Sequence, residues 1–233
     1  MTGTLAAVAV ALGLAGPAAA DCRLALVLAL DISSSVDATE DRLQREGLAG
    51  ALVAPEVVRA FLTGEPVAIF AFEWSGSRVQ TPLLPGWMVV RGEPDLRRAA
   101  EAIAGSERSR DDLNTALGAA LRHAWEALQA GPPCRTRTVD VSSDGISNAG
   151  ADPGEVYAAL PFEGVTVNAL VIGGEAEDSP LVDWFRWEVL HGPDAFLIHA
   201  RDFGDYEQAM VSKLLRELEL PEVAGAVLGG ASG

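Results

Sequence analysis

From residue 24 to 30 the chain reads Leu-Ala-Leu-Val-Leu-Ala-Leu, seven apolar positions without a break. That is the length of a strand, and the missing polar alternation means both faces are buried, as in a parallel sheet. Residues 67–74 (VAIFAFEW) predict a second strand, and after the Ser75-Gly76-Ser77 turn residues 81–90 are expected to return beside it. Residues 136–141, 165–172 and 195–200 predict three more. Between them the apolar period changes from two to 3.6. Asp37 and Glu40 form a capping-box pattern ahead of Leu43, Gly47, Leu48, Ala51 and Leu52. Leu117, Ala120, Leu121, Ala124 and Leu128 make one stripe behind Asn114, a candidate N-cap. Residues 96–103, 153–160, 181–190 and 206–218 predict further helices, and there is no internal repeat. Strands alternating with helices predict an α/β fold, a doubly wound and mostly parallel sheet with helices on both faces. In such sheets ligands bind beyond the carboxyl ends of the strands, where the strand order reverses.

The two ends of the chain change the picture little. Residues 1–20 carry no charge and end in Ala18-Ala19-Ala20, the pattern of a cleaved secretory signal peptide. Their apolar stretch is too short to span a bilayer. Asp21 ahead of Cys22 is not the small residue that a lipoprotein site requires. Residues 21–220 are then expected to form one exported domain, periplasmic or extracellular, and the Ala- and Gly-rich residues 221–233 a disordered tail. A net charge of −16 argues against nucleic acid as a partner, because it disfavours phosphate-backbone binding and no basic footprint stands out in the sequence. No membrane span is expected in the mature chain.

Polar residues gather where the sheet rule points. Asp31, Ser33 and Ser35 follow the first strand, Asp144 follows the strand that begins at Thr136, and Thr115 opens the helix near Asn114. All five offer oxygen and none offers sulfur or imidazole, which suits a hard divalent cation: Mg²⁺ first, with Mn²⁺ or Ca²⁺ as alternatives. Each segment alone also reads as a turn or a helix start. Their conjunction at the strand ends is what selects the site. Asp111-Asp112, just ahead of Thr115, is an alternative source of that contact.

The ordered set Asp31-x-Ser33-x-Ser35, Thr115 and Asp144 resembles the metal-ion-dependent adhesion site of von Willebrand factor A domains. The resemblance spans roughly residues 23–218. The segments LALVLALDISSSVD, FEWSG, VDVSSDGISN and AFLIHARDFGDYEQAMVSKLLREL look like a bacterial branch of secreted A-domain proteins. It implies that Ser33 and Ser35 ligate the metal directly and that Asp31 acts mainly through water. Thr115 and Asp144 would complete the shell, leaving an open position for a carboxylate from a protein partner. Ser34 departs from the Gly that many members carry there.

The family's sheet order sets the strand ending at Asp31 beside the strand ending at Asp144. Cys22 lies nine residues before Asp31 and Cys134 ten before Asp144, so the two would meet at the opposite end of adjacent strands. Strands ~4.8 Å apart fall within disulfide range. A Cys22–Cys134 bridge is expected.

Other residues carry less. His123, His191 and His199 are too scattered for a metal cluster, and the five tryptophans read mainly as core and boundary packing. Asp183, Arg186 and Glu188 read as a solvated helix face, and Glu73 as a candidate outer contact of the crevice. A Mg²⁺-dependent phosphotransferase or hydrolase using Asp31 is the competing reading. Such enzymes usually need a second carboxylate two residues on, where Ser33 stands. No Walker A loop, G-x-G-x-x-G turn or G-x-S-x-G elbow is present. A non-catalytic, cation-dependent protein-binding module is the expectation.

Overall fold

The structure, a computed structural model, describes residues 22–219 apart from 175 and 177. The expected signal peptide and tail lie outside the described residues. In chain order the elements are β1 (Leu24–Asp31), α1 (Ala38–Val53), α2 (Pro55–Phe61), β2 (Val67–Ser75), β3 (Val79–Pro82), β4 (Met88–Val90), α3 (Glu93–Ala104) and α4 (Leu117–Ala130). Then follow β5 (Thr136–Ser143), α5 (Pro153–Ala159), β6 (Val165–Ile172), α6 (Pro180–Trp184) running into a π turn (Phe185–Val189), β7 (Leu197–Ala200) and α7 (Tyr206–Leu218). The sheet order is β3-β2-β1-β5-β6-β7, with β4 also on β2. Strands β2, β1, β5, β6 and β7 are parallel, and β3 and β4 are antiparallel to β2. This is the doubly wound α/β architecture that the strand–helix alternation predicts.

Burial of β1 on both faces explains its unbroken apolar run. Leu24, Leu26, Leu28 and Leu30 enter one core with α1, α2, α3 and α7. Ala25, Val27 and Ala29 enter the other, with α4, α5 and α6. The large leucines meet the crowded face, and the small residues meet the closely approaching α4. Gly118 of α4 also lets the loop before α5 come close: a Cβ there would lie 2.1 Å from the Ala151 carbonyl oxygen.

Three local expectations change. The segment 81–90 splits into β3 and β4, because Pro82 and Pro85 cannot donate to a ladder and Leu83 and Leu84 turn into the core instead. Asn114 does not cap α4. The cap is Ala116, without a side-chain bond, and the freed Leu117 N–H donates to Ser147 Oγ at 3.2 Å. Helix α2 was not expected, although Pro55 at its first turn is a start signal. The capping box at Asp37 and Glu40 forms as read.

Helix α7 closes the first core over a buried polar cluster. Lys213 Nζ lies 2.8 Å from Asp140 and 2.7 Å from Glu217, all three side chains being buried. Asn168 Nδ2 donates to Glu217 at 2.9 Å, and Tyr206 shares a 3.0 Å hydroxyl bond with Ser142. One ammonium serves two carboxylates, and burial raises the Asp140 carboxyl despite Lys213.

At the far end of β1 and β5, Cys22 and Cys134 form a disulfide, with Cα atoms 4.7 Å apart and 112 residues between them in sequence. A loop that long contributes ~4–5 kcal/mol in the chain-entropy model. The double variant Cys22→Ala/Cys134→Ala should therefore unfold at a melting temperature lowered by roughly 10–15 °C, at ~2–4 °C per kcal/mol for a domain of this size. Calorimetry with and without reductant checks this, and an unchanged wild-type melt under full reduction would contradict it.

Candidate metal centre

The chain runs from β1 through β2 to one side of the sheet, and returns at β5 on the other side of β1. The order thus reverses between β1 and β5, and both strands end there. Asp31 is the last residue of β1, and Ser143 is the last of β5.

Asp31 is fully buried. Its Oδ1 accepts the Ser33 N–H at 2.7 Å, the local turn expected of an Asp two residues before a free N–H. Its Oδ2 accepts from the Ser143 hydroxyl, and its carbonyl accepts Gln44 Nε2 at 2.9 Å. The Ser33 hydroxyl oxygen accepts from Thr115 Oγ1 at 3.1 Å and stands 3.2 Å from Ser35 Oγ. Ser35 Oγ in turn donates to Asp144 Oδ1 at 2.7 Å. The five residues read from the sequence therefore form one connected group of oxygens, assembled from three separate segments. Ser33 and Thr115 are buried, Asp144 is half-buried and Ser35 is exposed, so the group opens to solvent on one side. Gly145 borders that mouth: a Cβ there would lie 3.4 Å from Thr115 Oγ1, an ordinary contact distance.

The acidic pair ahead of Thr115 is placed otherwise. Asp111 and Asp112 are exposed, and Asp112 is held by Arg110 through bonds of 2.8 and 2.9 Å. The three histidines lie apart: His123 packs on Phe72, His191 on Tyr157, and His199 bonds the Gly173 carbonyl at 2.8 Å.

The loop 105–116, which delivers Thr115, is fixed by residues that periodicity does not single out. Arg108 Nη2 donates to the carbonyls of Ile32 and Ser33 at 2.8 and 3.0 Å, and the Ser34 N–H donates to the Leu113 carbonyl at 2.9 Å. The Thr115 N–H donates to Asn148 Oδ1 at 3.0 Å. Behind the loop, buried Arg45 donates to Asp41 at 3.0 Å, to Ser106 Oγ at 2.6 Å and to the fully buried Glu73. Glu73 Oε1 also accepts the Ser109 N–H at 2.9 Å. Glu73 thus acts behind the loop, with no bond to the five oxygens. Ser143, which the sequence reading assigned no role, had one usable signal: it precedes Asp144 at a strand end. Arg108 carried no signal in the run ERSRDD.

Electrostatics sharpen the chemistry. Burial pushes the Asp31 carboxyl up to about 7, although bonds from Ser143 and Ser33 pull it down. Burial also raises Asp144, against the bond from Ser35. Two desolvated carboxylates facing hydroxyls are costly as anions unless a cation joins them. The donors are all hard oxygens, which fit Mg²⁺, Mn²⁺ or Ca²⁺ and lack the N/S ligands of a typical zinc site.

Comparison with known proteins places the fold. The family model described as "Protein of unknown function (DUF1194)" matches residues 21–222. No curated protein matches the sequence. Among solved structures, proximal thread matrix protein 1 from the mussel byssus is 22% identical with a TM-score of 0.52, over 85% of this chain and 48% of that one. The same protein is also known with a zinc-occupied MIDAS motif, at TM-score 0.50 over the same shares. A von Willebrand factor type A structure from Catenulispora acidiphila gives a TM-score of 0.57 at 15% identity, over 84% and 43%. The pilus adhesin SpaC of Lactobacillus rhamnosus GG gives 0.56 at 13%, over 84% and 30%. The chain spans less than half of each of these neighbours. At such identities the likeness shows the fold, and that fold is of the von Willebrand factor A type.

Two outcomes follow for the metal-free protein. A carboxyl whose pKa is higher folded than unfolded favours the folded state at low pH, and this contribution is lost as pH rises from about 4 through about 7. In EDTA, stability from urea titration should fall between pH 5 and pH 8, and less steeply in Asp31→Asn; an equal slope would contradict the burial argument. Glu73→Ala should cost roughly 3–5 kcal/mol by leaving Arg45 buried and under-partnered, with urea unfolding as the measure.

Proposed function

We propose, for a chain that belongs to the DUF1194 family, a cation-dependent protein-binding module of the exported A-domain type, without catalysis. The observation that carries this reading is the convergence of Asp31, Ser33, Ser35, Thr115 and Asp144 into one solvent-open cluster at the strand-order reversal. Ser33 and Ser35 would hold the ion directly, Asp31 mainly through water, and Thr115 and Asp144 directly or through water. Mg²⁺ is the favoured ion, because the donors are few, hard and supplemented by water. The ion would supply an electrophilic open position that accepts a carboxylate from a partner protein.

What the protein itself does is hold the site in shape. Ser143 and the Ser33 N–H orient the Asp31 carboxylate, Arg108 ties the loop before Thr115 to the Ile32 carbonyl, and Arg45 anchors the same loop to α1 and β2. The position two residues beyond Asp31 is a hydroxyl, so no second carboxylate stands there as a general acid. Known A-type neighbours include a pilus adhesin and a byssal matrix protein, which supports an adhesive or assembly role. Export rests on the composition of residues 1–20 and on the Cys22–Cys134 bridge, which suits an oxidising compartment. Among the described residues no helix is long and apolar enough to cross a membrane.

A ligand that binds only the folded state raises its stability by RT ln(1 + [L]/Kd), about 2.7 kcal/mol at a hundredfold excess over Kd. Saturating Mg²⁺ should raise the melting temperature by roughly 5–10 °C over EDTA, with Mn²⁺ and Ca²⁺ tested alongside. Asp31→Ala should lose that shift. If no cation moves the wild type more than the variant, the reading fails.

A further inference from the structure

Helix α7 is seated on three buried ionisable side chains whose charges do not balance. Lys213 Nζ lies 2.8 Å from Asp140 Oδ1 and 2.7 Å from Glu217 Oε1, and none of the three side chains is more than 1% exposed. Fully ionised, the group would carry two negative charges and one positive. A desolvated carboxylate left without its own counter-ion takes up a proton instead.

The donors decide which carboxyl takes it. Glu217 Oε1 accepts two, from Lys213 Nζ and from Asn168 Nδ2 at 2.9 Å. Asn168 is held in that orientation because its Oδ1 accepts the Phe196 N–H at 3.0 Å. Asp140 has only the ion contact with Lys213, and its Oδ2 is buried without any partner. The flanking strands add no charge, since Leu28 of β1 and Asn168 of β6 stand opposite Asp140. From α7 the groups that face it are Lys213, Glu217 and Tyr206, whose hydroxyl is bonded to Ser142 and raised by burial. Lys213 also lies 5.3 Å from the centre of the Phe196 ring, on which Arg216 stacks at 3.9 Å. A proton on Asp140 therefore cancels the excess charge at the carboxyl with the fewest donors. Burial raises that carboxyl to about 7, although Lys213 opposes the shift.

We infer that Asp140 keeps a proton in the folded protein from acid to near-neutral pH, and that this proton is a pH-sensitive latch on α7. Losing it sets two carboxylates against one ammonium beneath the helix. A carboxyl whose pKa is raised on folding stabilises the fold at low pH, and this contribution is lost as pH rises from about 4 through about 7. Alkali thus loosens the seat of α7.

Asp31 titrates in the same range, so the test uses the full chain carrying Asp31→Asn, without added metal. Between pH 5 and pH 7 its unfolding constant from urea titration should rise by up to about tenfold per pH unit, the effect of one bound proton. Adding either Asp140→Asn or Glu217→Gln should flatten that rise to the remaining contribution of half-buried Asp144. One carboxylate on one ammonium is neutral without a proton. A purely structural role would lower stability at every pH and leave the slope unchanged. Carbon-13 NMR of the Asp140 carboxyl reads the proton directly and needs neither second variant: its resonance should titrate near neutrality. Amide exchange, corrected for its intrinsic pH dependence, should lose protection in α7 more than in α4 between pH 6 and pH 8. Slopes unchanged by both substitutions, an Asp140 carboxyl ionised throughout pH 5–9, or equal loss of protection in α4 and α7 would each overturn the inference.

Discussion

The Asp31 carboxylate lies with no exposed surface at the end of the central strand, and an anion in that position needs donors on every side. The Ser33 N–H comes from its own loop, and the Ser143 hydroxyl comes from the neighbouring strand 112 residues away. The second bond exists only because β1 and β5 are parallel and in register, with Leu24 opposite Thr136 and Leu30 opposite Ser142. The same register sets Asp144 beside Ser35 at one end of the strands and Cys134 beside Cys22 at the other. A slip of one residue would turn every β1 side chain to the opposite core and separate both pairs.

Holding that carboxylate requires a rigid surround, and the surround is charged. Arg45 ties α1, β2 and the loop before Thr115 into one body through Asp41, Glu73 and Ser106. Arg108 ties the same loop to the Ile32 and Ser33 carbonyls. Buried ion pairs of this kind are weak sources of net stability, because desolvation offsets most of the attraction. Their contribution is to fix one loop path, so that Thr115 meets Ser33. On the opposite side, Tyr206 of α7 bonds Ser142, next in sequence to Ser143, and the Lys213 cluster anchors the same helix. The metal loops are thus braced by helices α1, α4 and α7, and the region left open is the mouth between Ser35, Asp144 and Gly145.

Sequence reading recovered the elements whose apolar period is strong and the residues whose chemistry is unusual at a strand end. Both faces of β1 are buried, so its composition alone announces a central strand. Five oxygens at three strand or helix ends were legible because a doubly wound sheet has one reversal point. The misses have a common cause. The division into β3 and β4 turned on two prolines competing with a hairpin pattern, and the absent Asn114 cap turned on the loop running on to Ala116 before the helix begins.

By itself, then, the sequence determined the strand–helix order, the burial of each face, the five oxygen-bearing residues that the fold gathers and, with the family's strand order, the cysteine pair. These follow from composition and local spacing, which act within a few residues of one another. Only the tertiary structure decided that Ser143 and Gln44 hold Asp31, that Arg108 caps the loop after β1, and that Glu73 serves Arg45 behind the loop. Those contacts join segments tens of residues apart, or depend on which way a loop and a helix face turn. Loop path and sheet register set such meetings, and no local period encodes them.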